Sequence, residues 1–176
     1  MDNITIKTFS ENELSQLIGL MRMCSDTEFY IILDQNIMFY NATAMNGMSL
    51  CAVTDDDSLV GILLCKYSHR DLENYMRHKV LQEIAQQGRL AYGIELANSC
   101  VHPDYRGHHL ERDMITKLIR DEKTKNLDVW FWATAHKDNI PSIKSITANG
   151  LEMILSDITM MYPAHVCFHR NLYIKK

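Results

Sequence analysis

Residues 99–119 read SCVHPDYRGHHLERDMITKLI. Small and β-branched residues come first, Pro103 and Gly107 mark a turn, and an amphipathic helical pattern follows. The stretch therefore predicts a strand, a tight basic loop and a helix N-terminus in immediate succession. Such a corner is a physical trap for an anion, because the first N–H groups of a helix lack intrahelical acceptors and the helix dipole adds positive potential. Arg106 and Arg112 flank the turn, His108 and His109 add donors, and Gly107 permits unusual backbone angles and close approach. A phosphate is the natural guest.

The rest of the chain bounds what such a corner serves. With 176 residues, 47% of them hydrophobic, the chain is long enough for one good core and predicts a single domain over 1–176. The formal charge of -4 comes with scattered Lys and Arg, which speaks against a nucleic-acid partner. No run of apolar residues is long enough to span a membrane and no basic region leads into one at the N-terminus, so a soluble, cytoplasmic protein is expected. Cys24, Cys51, Cys65, Cys100 and Cys167 are odd in number and widely spaced, which fits reduced core thiols better than disulfides or a zinc site. His165 and His169 lie too far apart in a strand for an ordinary chelate, and no metal is expected.

Periodicity gives the order of elements. NITIKTF alternates as a strand, and the helix after it is announced by Ser10 and Glu13 in capping-box spacing, with Leu14, Leu17, Ile18 and Met21 on one stripe. Residues 25–48 are ambiguous. A hairpin turns at Asp55–Ser58, a helix is expected at about 72–87, and strand, helix, strand and helix follow before a closing pair of strands. Trp130 and Trp132 share one strand face and Phe131 the other, as a sheet covered on both faces requires. The sum is a mixed α/β (α+β) fold with a largely antiparallel sheet.

The quoted stretch resembles the acyl-CoA pyrophosphate loop of GNAT-type N-acetyltransferases, written V-x-P-x-Y-R-G-x-G-[IL]-G/A, with Val101, Pro103, Tyr105, Arg106, Gly107 and Leu110 matching. Downstream, NIPSIKSITANGL is similar to a second GNAT block, with Asn139, Ser142, Gly150 and Leu151 in register. The resemblance implies a GNAT-like mixed, mostly antiparallel central sheet with helices on both faces, in which the pantetheine arm runs beside two central parallel strands, here 91–101 and 128–135. The helix at about 72–87 is an addition to that plan, and Tyr75 or Arg77 on it would meet the acceptor.

What the resemblance implies for function is acetyl-CoA-dependent transfer of acetyl to a primary amine of a small molecule or peptide. Ser99, Cys100 and Val101 would line the pantetheine and thioester, with the Val101 amide polarising the thioester carbonyl. Arg106, Gly107, His108, His109, Leu110, Glu111 and Arg112 would cradle the pyrophosphate. Asn139 and Ser142 would contact the pantetheine arm, although Asn139 is equally a helix N-cap before Pro141. Glu95 is the candidate general base, a carboxylate in an apolar strand where burial would raise its pKa.

Three positions depart from the pattern: His109 replaces the second loop glycine, Glu111 replaces a small residue, and Ile146 stands where many members carry the tyrosine that protonates the CoA thiolate. Cys100, His102 and Tyr162 are substitutes for that acid, and His136 lies near the acceptor side in the same scheme. The departures keep a second reading open, a non-catalytic GNAT-like domain that senses CoA or another phosphate-bearing ligand. A third is an acyl-carrier step through Cys100, which requires a lowered thiol pKa. A homodimer through the C-terminal hairpin is also open.

Overall fold

The computed structural model describes residues 3–25, 37–67, 93–125, 129–162 and 166–175. Among them run β1 (Ile4–Thr8), α1 (Glu11–Cys24), α2 (Ile37–Ala44), β2 (Leu50–Thr54), β3 (Leu59–Tyr67), β4 (Gly93–Val101), α3 (Leu110–Lys123), β5 (Trp130–His136), α4 (Ile140–Ala148), β6 (Glu152–Tyr162) and β7 (Val166–Lys175). A short 3-10 helix, Pro103–Tyr105, sits between β4 and α3. Part of the ambiguous region is thus α2. The helix expected at 72–87, with Tyr75 and Arg77, lies outside the described residues.

The chain forms two compact units, one of Met1–Lys66 with Ala97–Leu118 and one of Tyr67–Leu96 with Ile119–Lys176. In the first, the strand order is β1-β2-β3-β4. β1 pairs antiparallel with β2 from Ile4–Thr54 to Thr8–Leu50, and β2 pairs antiparallel with β3. α1 packs Leu17, Leu20, Met21 and Cys24 into one core cluster with Cys51, Val53, Ile62 and Leu64. Each such fully buried side chain contributes about 1.5–3 kcal/mol over an exposed one. Gln16 fixes where α1 meets the hairpin: its Oε1 accepts from the Leu59 amide at 2.9 Å and its Nε2 donates to Asp57 O at 3.0 Å.

The start of α1 follows the capping-box spacing, with the glutamate as its centre. Glu13 is 2% exposed, and its Oε2 accepts from the Ser10 amide at 3.0 Å and the Ser10 hydroxyl at 2.7 Å, while Oε1 meets Lys7 Nζ at 2.8 Å. Burial alone would push this carboxyl pKa up; the bonds from Lys7 and Ser10 outweigh it and hold the pKa below its ordinary value.

α3 turns Leu110, Met114, Ile115 and Leu118 inward. Gly61 in β3 makes room for it: a Cβ there would stand 3.2 Å from Ala52 Cβ and 3.4 Å from Met114 Cε.

In the second unit the order is β4-β5-β7-β6. β4 runs parallel to β5 from Gly93–Trp130 to Leu96–Ala133, and β5–β7 and β6–β7 are antiparallel. The sheet is therefore mixed and mostly antiparallel, as expected. A parallel pair needs a crossover connection, which includes α3 here. Trp130, Phe131 and Trp132 are all buried, so both faces of β5 are covered.

Because the Glu13 pKa is depressed on folding, its contribution is present above the ordinary carboxylate range and is lost as pH falls through the folded value. Glu13→Gln should lower stability at neutral pH by about 1–3 kcal/mol. The variant should also lose less on acidification than the wild type. Urea unfolding of both proteins across the acid range measures the two effects.

Candidate functional site

The end of β4 is tied to β3 by the His102 amide, which donates to Val60 O at 2.8 Å. The chain then folds tightly. The Tyr105 amide donates to His102 O at 2.9 Å and the Arg106 amide to Pro103 O at 3.2 Å, while His102 Nδ1 accepts from the Asp104 amide at 3.2 Å. The Tyr105 ring meets the His102 ring edge-on, with centroids 5.7 Å apart.

Two left-handed residues complete the loop, Gly107 at φ 82° and His109 at φ 62°. A Cβ on Gly107 would meet no protein atom within 4 Å, so backbone angle and not crowding calls for glycine there. His109 takes the place of the second loop glycine by accepting the left-handed conformation itself, at a cost on the order of 1–2 kcal/mol for an L-residue. The first α-helical bond onto the loop runs from the Asp113 amide to His109 O at 3.0 Å. The amides before it belong to the first turn of α3, where a helix has no carbonyl of its own to offer.

The charges at this helix start are mixed. Glu111 and Asp113 lie in the first turn, where the dipole favours acidic side chains. Arg112 Nε is 3.0 Å from Asp113 Oδ1, and Arg106 Nε donates to Val101 O at 3.3 Å. The loop and helix start thus hold two arginines, each with an internal partner, and two carboxylates.

Val101 O has a second donor, Cys24 Sγ at 3.4 Å, from the last residue of α1. Cys24 is held below the ordinary thiol pKa, first by the Cys100 thiol and then by Arg106, against the cost of burial. Cys100 moves the other way, well above the ordinary thiol value, because it is buried and faces Cys24 and Glu111. The acyl-carrier step through Cys100 requires a lowered thiol pKa, and burial pushes this one up. Nothing in the sequence marks Cys24, which lies 77 residues before Val101.

Ser99, Cys100, Val101 and the loop from Arg106 to Arg112 belong to the first unit, whereas Glu95, Asn139 and Ser142 belong to the second. Ser99 Oγ is buried with no hydrogen-bond partner among the described residues. Glu95 is half-buried and stands beside Trp132 in the β4–β5 register. Asn139 caps α4, its Oδ1 accepting from the Ser142 amide at 3.3 Å, with Pro141 in the first turn. Ile146 is buried, at 3% exposure, and supplies no proton donor. His136 Nδ1 accepts from the Asp138 amide at 3.2 Å. The side chains of Tyr162, His165 and His169 lie outside the described set. Among the described residues no three His, Cys, Asp or Glu side chains are grouped to hold a metal ion, and no helix is long and apolar enough to cross a membrane.

No protein-family model matches the chain and no curated protein does. Solved structures match over nearly its whole length. A GNAT-family acetyltransferase from Streptococcus pneumoniae superposes with a TM-score of 0.66 at 14% identity, covering 98% of both chains. An agmatine N-acetyltransferase in its apo form gives 0.69 at 10% identity, covering 99% of both. Naa50 of Arabidopsis thaliana, in complex with the bisubstrate analogue CoA-Ac-MVNAL, gives 0.65 at 16% identity, covering 98% of both. The chain has the GNAT acetyltransferase fold.

Two outcomes follow from the loop and the thiols. His109→Gly should leave stability unchanged or raise it by about 1 kcal/mol, while His109→Val should lower it by about 1–2 kcal/mol, since a β-branched residue resists positive φ; thermal unfolding of the three proteins reads both. Cys51 is pushed up to about 12 by burial from an ordinary 9.0. A raised acid keeps its proton in the folded chain but loses it when unfolded, so Cys51 and Cys100 subtract stability as pH rises above 9.0. Cys24, depressed on folding, adds stability that grows as pH rises toward 9.0 and persists above it. The melting temperature of the reduced protein should fall as pH rises above about 9, less steeply in Cys51→Ala.

Proposed function

Taking the GNAT fold as premise, we propose that this chain is an acetyl-CoA-dependent N-acetyltransferase that passes acetyl directly to a primary amine of a small molecule or peptide. The observation that carries the reading is the left-handed pair Gly107 and His109 between β4 and the N-terminus of α3. A backbone that alternates hand in this way lets successive N–H groups converge on one anion. The residues present therefore fit a diphosphate, with Arg106 to Arg112 around it.

Acetyl-CoA, when bound, supplies an acyl group activated as a thioester. Backbone groups of Ser99, Cys100 and Val101 hold the pantetheine arm, helped by Asn139 and Ser142. In this reading the Val101 amide polarises the thioester carbonyl, and Glu95 takes the proton from the amine directly or through water. Acetyl transfer to amines by proteins of this fold, among them an agmatine N-acetyltransferase, supports the acceptor class. The net charge of -4 favours a cationic acceptor, and the four cysteines among the described residues, free and buried, suit the reducing cytoplasm.

A second reading, a non-catalytic domain that senses CoA or another phosphate-bearing ligand, is favoured by one observation. Glu111 and Asp113 already occupy the positive end of α3, and Asp113 engages Arg112.

Calorimetric titration with acetyl-CoA, for wild type and Glu111→Ala, separates the two. Saturable micromolar binding by the wild type, tightened several-fold in Glu111→Ala, is expected. Transfer to a polyamine or an N-terminal peptide should then drop by about 10²-fold or more in Glu95→Gln with binding unchanged. Binding with no transfer to any amine would move the sensor reading ahead, and no binding by either protein would sink both.

A further inference from the structure

We propose that Cys24 is a modification site: a hydroperoxide oxidises its sulfur and Cys100 then closes a disulfide onto it, joining the end of α1 to β4. The proposal stands apart from acetyl transfer and does not rest on it.

The geometry begins at one carbonyl. Val101 O accepts from Cys24 Sγ at 3.4 Å and from Arg106 Nε at 3.3 Å, so a thiol and a guanidinium converge on the same atom. Cys100 is the next residue back along β4, beside the carbonyl that accepts from Cys24. Both cysteines are free and belong to the same buried cluster. The Cys24 sulfur thus lies against the backbone of the residue next to Cys100, inside the cluster that holds both cysteines.

The charges divide the roles. A helix C-terminus disfavours an anion, and Cys24 is the last residue of α1. The Cys100 thiol and the Arg106 guanidinium nevertheless lower the Cys24 pKa, which favours its thiolate. Cys100 stays protonated. Cys51 is pushed up to about 12 by burial and is inert by the same criterion. Cys24 is 4% exposed, so an oxidant that reaches it has to be small.

The chemistry balances in two steps. The Cys24 thiolate attacks the O–O bond of the hydroperoxide, giving the sulfenic acid and, once protonated, an alcohol or water. The Cys100 sulfur then attacks the sulfenic sulfur; an S–S bond forms, the S–O bond breaks, and the thiol proton leaves with the hydroxide as water. Two thiols are oxidised and one peroxide is reduced.

The reduced full chain is treated with graded hydrogen peroxide, alkylated under denaturing conditions and digested for mass spectrometry. The expected result is loss of two hydrogens from the intact mass and a linked Cys24–Cys100 peptide, with Cys51 and Cys65 still alkylated. In Cys100→Ser, Cys24 should stop at sulfenic acid, captured by a dimedone probe. In Arg106→Met, alkylation of native Cys24 at neutral pH should slow several-fold. Thermal unfolding before oxidation checks that each variant is folded. Three results overturn the proposal: Cys51 or Cys65 oxidised before Cys24, Cys24 linked to any other thiol, or Cys24 reaching sulfonic acid while Cys100 remains free.

Discussion

A single backbone carbonyl, that of Val101, sits where the first unit's helix, strand and loop meet. It ends β4, receives the thiol from the end of α1 and receives the guanidinium from the loop that follows. A carbonyl has two lone pairs, and both are used, so the buried end of the strand carries no orphaned acceptor there. The His102 amide, bonded to Val60 O, holds the same strand end to β3. With the strand end pinned on both sides, the loop has a fixed origin, and the left-handed turns at Gly107 and His109 can set the direction of α3.

That arrangement places opposite demands on one helix terminus. A first turn with acidic residues stabilises the helix against its own dipole. A first turn meant for a diphosphate does better with small, uncharged residues that let the ligand approach the amides. This chain carries Glu111 and Asp113 at that point and sets Arg112 against Asp113. The internal charges partly neutralise one another. The charge of Glu111 also reaches Cys100, where it helps keep that thiol protonated. Loop, helix start and thiol pair are thus one electrostatic neighbourhood.

Asn139 shows how one residue serves two readings. The pattern that resembles a cofactor-binding block is also an N-cap followed by proline, and the structure uses the side-chain carbonyl as the cap. Ile146 shows the reverse: at the position of a family tyrosine, its side chain is simply buried in packing. Neither residue departs from local rules, which is why the pattern alone does not separate structure from function at these two positions.

What the chain settled by local chemistry is every feature that depends on neighbours in sequence. The Ser10 and Glu13 spacing marked the start of α1, and the acidic run 55–58 marked the turn between β2 and β3. Alternation placed both faces of β5 in the interior, and the run from Val101 to Leu110 announced a strand, a loop and a helix. These follow from backbone angles and from periods of two or nearly four residues, which act over a few bonds. Only tertiary structure decided that β7 lies between β5 and β6, that Lys7 joins the Glu13 cap, and that Cys24 meets Cys100 and Arg106. A thiol's acidity depends on which charge and which donor stand within a few ångströms. In this chain those neighbours come from segments more than seventy residues away, so no local pattern records them.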